Sequence, residues 1–456
     1  MDRDDRSPAP SAGPPETDGP AIGGWSPAAI RHLLSYGQSL SGGTQGRPAL
    51  SLAQPYANIT WDGAGGQGPR HYGPYDAVKP LVEDEINWPT ASSAANQGET
   101  VCSVWANGLV ERHAAEDGIA PGGQGWCYLA SAPGLGSAAI AQFVPGTEQY
   151  ARLMASVAGG VAVGAARGVT YAYECTGWMQ GERDDFLQTP RALYAATLIR
   201  LEADIARDAA AVTGQSWRPL FISYQTAAWR FYGRARPIAA LAHRDAQRQG
   251  PWVRIACPNY IFDYSHPTGA ATGDHHFNNV SYQFCARYFA RLQKRLVEDR
   301  RAGRPQGIHC LDVAGVLWLG RVIEVTFALP SPPPGVEFRN RLEFDTEWVT
   351  ATANMGFDLW TADGLLPDAI RSVTIVSRRR VLIVTDAAYP AGTILTYGWG
   401  RPQDAGAGQM QGRQQGARGN LRDRTGDIAG ESYVGADGLA RRLDNWALIF
   451  DHVKGG

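Results

Sequence analysis

Three short stretches carry residue types that could do chemistry. The first is Tyr36-Gly37-Gln38-Ser39-Leu40-Ser41-Gly42-Gly43. A serine in a tight, glycine-flanked turn after a buried strand can expose its Oγ as a nucleophile, and its own N–H can help hold an oxyanion. An ordinary Gly/Ser turn has the same composition. The second is Trp178-Met179-Gln180-Gly181-Glu182-Arg183-Asp184-Asp185. Here a Gln beside a Gly at a strand end can donate its amide to developing negative charge, while the acidic run also suits a solvated loop. The third is Gly273-Asp274-His275-His276-Phe277-Asn278-Asn279. A His close to a carboxylate can act as a general base. Asp263 and His266 lie nearby, yet no spacing fits a standard metal-ligand set, so no metal is expected.

Each stretch sits at or just beyond the end of a segment that reads as a strand. Apolar segments at 30–36, 125–134, 168–177, 218–226 and 253–262 have strand character. Helical patterns separate them. The clearest runs from Arg191 to Thr213, with Thr189 as a candidate cap, Pro190 suited to the first turn and Gly214 to close it. A further helix is expected over 279–300, directly after the third stretch. Strand–helix alternation implies a parallel sheet covered on both faces, and ligands bind such sheets at the C-terminal strand ends.

The texture changes near residue 308. Helical periodicity gives way to short alternating strands such as 321–329, where Ile323, Val325, Phe327 and Leu329 share a face. Pro, Gly and Asp separate these strands, which points to an all-β sandwich or jelly roll. Residues 401–420, rich in Gly and Gln, read as a long surface loop. At the other end, residues 1–25 are too rich in Pro, Ser, Gly and Asp to build a core. The expected organisation is therefore a flexible arm at 1–25, an α/β domain at 26–308 and a β-sandwich accessory domain at 309–456.

Composition narrows the function classes. The 456 residues carry a net charge of −2, and only 19% are charged, which argues against nucleic acid as a partner. With 44% hydrophobic residues, including 14 Trp, the chain can bury a core. Lys occurs only at Lys79, Lys294 and Lys454. The weakly apolar run 153–166 falls short of a membrane span. The N-terminus lacks the apolar core of a signal peptide. The six cysteines form no CxxC pair and lie among apolar neighbours, so buried thiols are expected.

The order of the three stretches resembles the SGNH (GDSL-like) hydrolase superfamily, and within it the carbohydrate acetylesterases related to sialate O-acetylesterase and acetyl-xylan esterases. The residues that carry the resemblance are Gly37-Gln38-Ser39, Trp178 to Glu182, and Asp274-His275-His276, over roughly residues 28–300. The resemblance implies a flavodoxin-like parallel sheet sandwiched by helices, and an esterase that removes O-acetyl groups from a glycan without cofactor. Ser39 would be the nucleophile, His276 the base and Asp274 its orienting acid. Gln180 and the N–H of Gly136 would be oxyanion donors, with Gly134 as the alternative glycine. Glu182 is a second candidate for the acid, because some relatives use this motif to support the His. His266 also follows an Asp at motif spacing, but the stretch after His276 matches the family's final helix. Aromatic residues near the motifs, Trp178, Trp105 and Trp126, suit either a sugar platform or the core. Segments 417–423 and 443–450 are similar to the tails of phage-associated esterases, and Arg418 and Arg422 could bind anionic sugars or cap local carboxylates. The protein would then be cytoplasmic or borne on a virion, with the arm held by a second copy or an assembly partner. Two alternatives remain: a general acyl esterase or lipase, and a phage-tail receptor-binding protein whose hydrolase fold is inactive.

Overall fold

A computed structural model describes residues 28–63, 66–85, 97–265, 274–401 and 411–455. The N-terminal arm and His266 lie outside the described residues.

The central element is β1 (Ala29–Gly37), an apolar run buried along most of its length. It pairs in parallel with β4 (Trp126–Ser131) on one side and β5 (Thr170–Met179) on the other. The sheet extends through β6 (Leu220–Gln225) and β7 (Val253–Pro258), both parallel. On the opposite edge lie β2 (Ile59–Asp62) and β3 (Ala77–Pro80), giving the order β3-β2-β4-β1-β5-β6-β7. Only β3 runs antiparallel to its neighbour. Strands buried on both faces must be near-continuously apolar, which is why they were readable as runs rather than as alternation.

Helices cover both faces. On one side α1 (Cys102–Asp117) packs against the last helix of this region, α6 (Asn279–Arg301), through Trp105, Leu109 and Phe289. On the other side lie α2 (Glu148–Ala166), α4 (Arg191–Thr213) and α5 (Ile238–Gln249), with Leu153, Leu198, Leu201 and Ala242 in a second cluster. A short α3 (Glu182–Leu187) follows β5. The start of α4 differs from expectation. Pro190 is its N-cap, while the Thr189 hydroxyl donates to Asp184 Oδ1 at 2.6 Å and caps nothing in α4. Gly214 closes the helix in the left-handed conformation, at φ 70°. No helix among the described residues is long and apolar enough to cross a membrane.

After α6 the chain forms antiparallel sheets. One has the order β8-β9-β12-β11, built from Asp312–Leu319, Val322–Ala328, Arg380–Thr385 and Ile370–Ser377 respectively. The other contains β10 (Phe357–Trp360), β13 (Ile394–Tyr397) and β14 (Phe450–Val453), with Leu365–Leu366 at its edge. Ile323, Val325 and Phe327 point inward from β9 as the alternation requires, and Phe327 meets Phe450 of the facing sheet at 6.2 Å between ring centroids. Residues 411–420 correct the surface-loop expectation. Gly412, Ala417, Gly419 and Asn420 are buried, and Gly412 bridges to Asp263 of the α/β region. Segment 402–410 lies outside the described residues. The arginines of this stretch cap local groups. Arg418 donates to the carbonyls of Thr350, Ala351 and Gly416, and Arg422 pairs with Asp345 and Asp444. All six cysteines are buried and free.

Candidate active site

The Ser39 turn is fixed by the close approach of two strand ends. Gly37 ends β1 at φ +147°, and a Cβ there would lie 2.2 Å from the Met179 carbonyl oxygen at the end of β5. Only glycine permits that approach. The Gln38 N–H then donates to Met179 O at 3.0 Å. The chain turns back through Ser41, whose N–H and hydroxyl both donate to Gln38 O, at 2.9 and 2.7 Å. Ser39 stands half-buried at the apex. Its N–H makes no hydrogen bond to a described residue.

The histidine arrives from the far side of the sheet, between β7 and α6. Its loop is strapped to residues 263–265. Ser265 N–H donates to His276 O at 2.7 Å, Asp274 N–H to Ser265 O at 3.1 Å, and Asn278 N–H to Asp263 O at 3.2 Å. Asn278 also caps α6, its Oδ1 accepting from Ser281 N–H at 2.9 Å. The result brings Ser39, His276 and Asp274 into one line. His276 Nε2 lies 2.7 Å from Ser39 Oγ, and Nδ1 lies 2.7 Å from Asp274 Oδ1. An ionised carboxylate only accepts, so Nδ1 carries the hydrogen and Nε2 is left to accept from the serine hydroxyl. Such a line can take a proton from the serine and stabilise the imidazolium that forms.

Electrostatics favour this assignment. Burial pushes the Asp274 carboxyl up, but hydrogen bonds from His275 and His276 outweigh it and hold the group well below the usual carboxylate range. His275 is itself lowered by burial and by the neighbouring His276. Its N–H donates to Asp274 Oδ1 at 2.6 Å, so the acid is fixed from two directions.

The other motif residues are placed differently. Both amide hydrogens of Gln180 are engaged, one by Ala138 O at 3.1 Å and one by Asp184 Oδ2 at 2.5 Å, while its Oε1 accepts from Tyr194 OH at 2.7 Å. Turning the amide over would set its oxygen against a carboxylate, so this arrangement leaves no N–H of Gln180 for an oxyanion. Glu182 is fully buried beneath the site and accepts from Tyr224 OH and from Thr226 Oγ1, each at 2.9 Å. Burial raises its pKa despite these bonds. It makes no hydrogen bond to either histidine, and the orienting position belongs to Asp274. Gly136 is exposed, with nothing within 4 Å of a Cβ placed on it. Gly134, by contrast, is pressed against the Ser39 turn. A Cβ there would lie 2.2 Å from Ser41 Oγ and 2.9 Å from Gln38 O. Trp105 and Trp178 are core residues, and Trp126 packs beneath the Arg31 guanidinium, 3.9 Å from its centroid.

Ligand-type atoms of Asp274, His275 and His276 lie within 4.8 Å of one another. Both ring nitrogens of His276 are already taken by Ser39 and Asp274, so an ion at this trio would have to displace one of them. Residues that the motifs did not flag also border the site. The Gln38 side chain accepts from Arg183 N–H at 3.1 Å, joining the serine turn to α3. The His275 ring packs at a tilt against His276, at 4.0 Å between centroids, and against Phe231, at 4.6 Å. No signal in the sequence singles out Phe231, because the contact joins segments 44 positions apart.

No family model and no curated protein matches the chain. Among solved structures, it is similar to a carbohydrate acetylesterase from Xanthomonas citri, with TM-score 0.52 and 15% identity over 92% of this chain and 80% of that one. NanS aligns with TM-score 0.42 and 13% identity over 60% of this chain and 99% of its own. An Arabidopsis thaliana protein aligns with TM-score 0.41 and 14% identity over 59% and 98%. The alignment covering 92% of the chain is too long to stop within the α/β region. The chain therefore shares with the Xanthomonas enzyme the fold that its motifs imply, a helix-covered, mostly parallel sheet continued by β-rich structure.

Proposed function

We propose that the protein is a serine esterase that removes O-acetyl groups from a carbohydrate. The observation that carries this reading is the Ser39–His276–Asp274 line, with both hydrogen bonds at 2.7 Å, at the C-terminal ends of a parallel sheet. Ser39 Oγ attacks the ester carbonyl carbon as its proton passes to His276 Nε2. The carbonyl oxygen becomes an oxyanion, held by the Ser39 N–H and by the N–H of Gly134, a residue packed against the turn. Collapse expels the sugar alkoxide, which takes the proton from His276. Water then attacks the acetyl-serine, gives a proton to His276, and releases acetate as Ser39 is restored. Asp274 fixes the tautomer throughout. Gln180 acts as a positioning residue, tying β5, α3 and α4 together behind the serine turn.

The acetylesterase reading draws on the motif resemblance, and the shared fold is compatible with it. The test is acetate release from a panel of acetylated glycans and from ethyl acetate. Activity on glycan esters well above that on ethyl acetate is the expected result. Comparable activity on long-chain acyl esters would favour a general esterase instead.

A further inference from the structure

Beside the serine–histidine pair runs a series of aromatic rings that the chemistry above does not use. His275 lies against His276 at 4.0 Å between centroids with the rings tilted by 40°, Phe231 and Tyr232 lie 4.6 and 5.3 Å from His275, and Phe186 lies 5.6 Å from Tyr232. Burial falls along this series. His276 is buried, Phe231, Tyr232 and His275 are half-buried, and the Phe186 ring ends it 40% exposed. An exposed aromatic ring continuous with a reactive centre leaves apolar surface in water at the place where the rest of the substrate must lie.

The ledge carries positive charge. The Arg183 guanidinium stands 4.8 Å over the Phe186 ring, and that of Arg234 lies 5.6 Å from it. Arg234 is held in place by donating to Phe186 O at 2.6 Å. The Arg183 side chain makes no hydrogen bond or ion pair among the described residues, although its backbone N–H is fixed to Gln38 beside Ser39. The acidic neighbours in its own helix are buried and none of them pairs with it, although Asp185 Oδ2 has no partner of its own. Asp184 accepts from Ile140 N–H, Gln180 and Thr189, Asp185 accepts from Ala239 N–H, and Glu182 is bound by Tyr224 and Thr226. A guanidinium with no carboxylate partner, above an exposed aromatic face, presents two complementary features to one ligand. The ring can take the C–H face of a sugar and the cation can take a carboxylate.

We infer that this ledge is the subsite for the leaving sugar, and that it selects O-acetylated glycans whose sugars bear carboxylates. The inference rests on the esterase reading, and the experiment separates the two. Acetate release is compared for acetylated polygalacturonate, acetylated xylan and ethyl acetate, whose alkyl group is too small to reach Phe186. In the Phe186→Ala variant, the ratio of kcat/KM on polygalacturonate to that on ethyl acetate falls by about tenfold or more. In Arg183→Gln, the preference for polygalacturonate over xylan falls by about tenfold. Calorimetric binding of acetylated oligogalacturonate to Ser39→Ala, with and without Phe186→Ala, gives a readout independent of turnover, and affinity should drop in the double variant. Hydrolysis of ethyl acetate together with glycan binding indifferent to Phe186 would overturn the ledge and leave the esterase. Equal effects of Arg183→Gln on both glycans would overturn the selection for carboxylates. Phe186-dependent binding in a wild type that cleaves no ester would remove the esterase reading and leave the ledge.

Discussion

At the scale of single residues, the site depends on which groups keep an unspent hydrogen or lone pair. Asp274 is bound by both histidines and stays ionised through the working range, so its contribution to stability is present above about pH 4 and is lost only in strong acid. Removing its charge should affect turnover most. Asp274→Asn is expected to lower kcat by about 10²–10⁴-fold, since an amide can hold the wrong tautomer, and steady-state kinetics will show it. Glu83 behaves in the opposite way. Burial, and then the nearby Glu99, raise its carboxyl from 4.5 to about 7. The folded state thus binds this proton more tightly than the unfolded chain, and the stabilisation is present below about pH 4.5 and is lost as pH rises through about 7. At about 1.4 kcal/mol per pKa unit the loss by pH 8 is about 3–4 kcal/mol. Urea denaturation across pH 5–8 should show a decline in the wild type that Glu83→Gln flattens, and parallel profiles would contradict the assignment. The resemblance carried by the three motifs picked out Ser39 and His276 and left Asp274 and Glu182 as alternatives for the acid, and the structure brings Ser39, His276 and Asp274 into one line. The engagement of Gln180 was not legible, because its partners Ala138 and Tyr194 lie 42 and 14 positions away and the motif is silent about them.

At the scale of elements, the serine turn works because two glycines let chain segments come closer than a side chain allows. Gly134→Ala should push on Ser41 Oγ and the Gln38 carbonyl and so move Ser39. A loss of kcat/KM of about 10²-fold is expected, whereas Gly136→Ala, in open space, should stay within about twofold. Kinetics on one ester suffice to compare them, and equal behaviour would mean that the turn is not held by this contact. The strands that position these residues were readable because burial on both faces leaves continuous apolar runs, as in Ala29–Gly37 and Leu220–Gln225. Helix α1 was not readable. It is gripped on several sides, with Ser103, Asn107 and His113 buried beside Trp105 and Leu109, and this erases the amphipathic period. The antiparallel edge strand β3 is short and partly exposed, and its pairing with β2 depends on a ribbon whose residues carry no strand signature.

At the scale of the whole molecule, the α/β and β-rich regions share their interior. One hydrophobic cluster runs from Leu33 and Trp105 through Tyr260 and Phe284 to Trp399 and Phe450. Gln225 at the end of β6 clamps the final strand by accepting from Ile449 N–H at 2.7 Å and donating to Ile449 O at 2.9 Å. Calorimetry should therefore show a single cooperative unfolding transition. Gln225→Ala, which leaves two buried backbone groups unpaired, should cost about 2–3 kcal/mol, and two separable transitions would contradict a shared core. Composition separates the two textures near residue 308 but gives no sign of this sharing, because the contacts join residues distant in sequence, 224 positions apart for Gln225 and Ile449 and 187 for Tyr260 and Ala447. Every step of the proposed chemistry depends on Ser39 as the nucleophile. The most direct test is acetate release from an acetylated glycan by wild type and by Ser39→Ala at equal concentrations of folded protein. A loss of about 10³-fold or more is predicted for the variant, and equal rates for the two proteins would contradict the account.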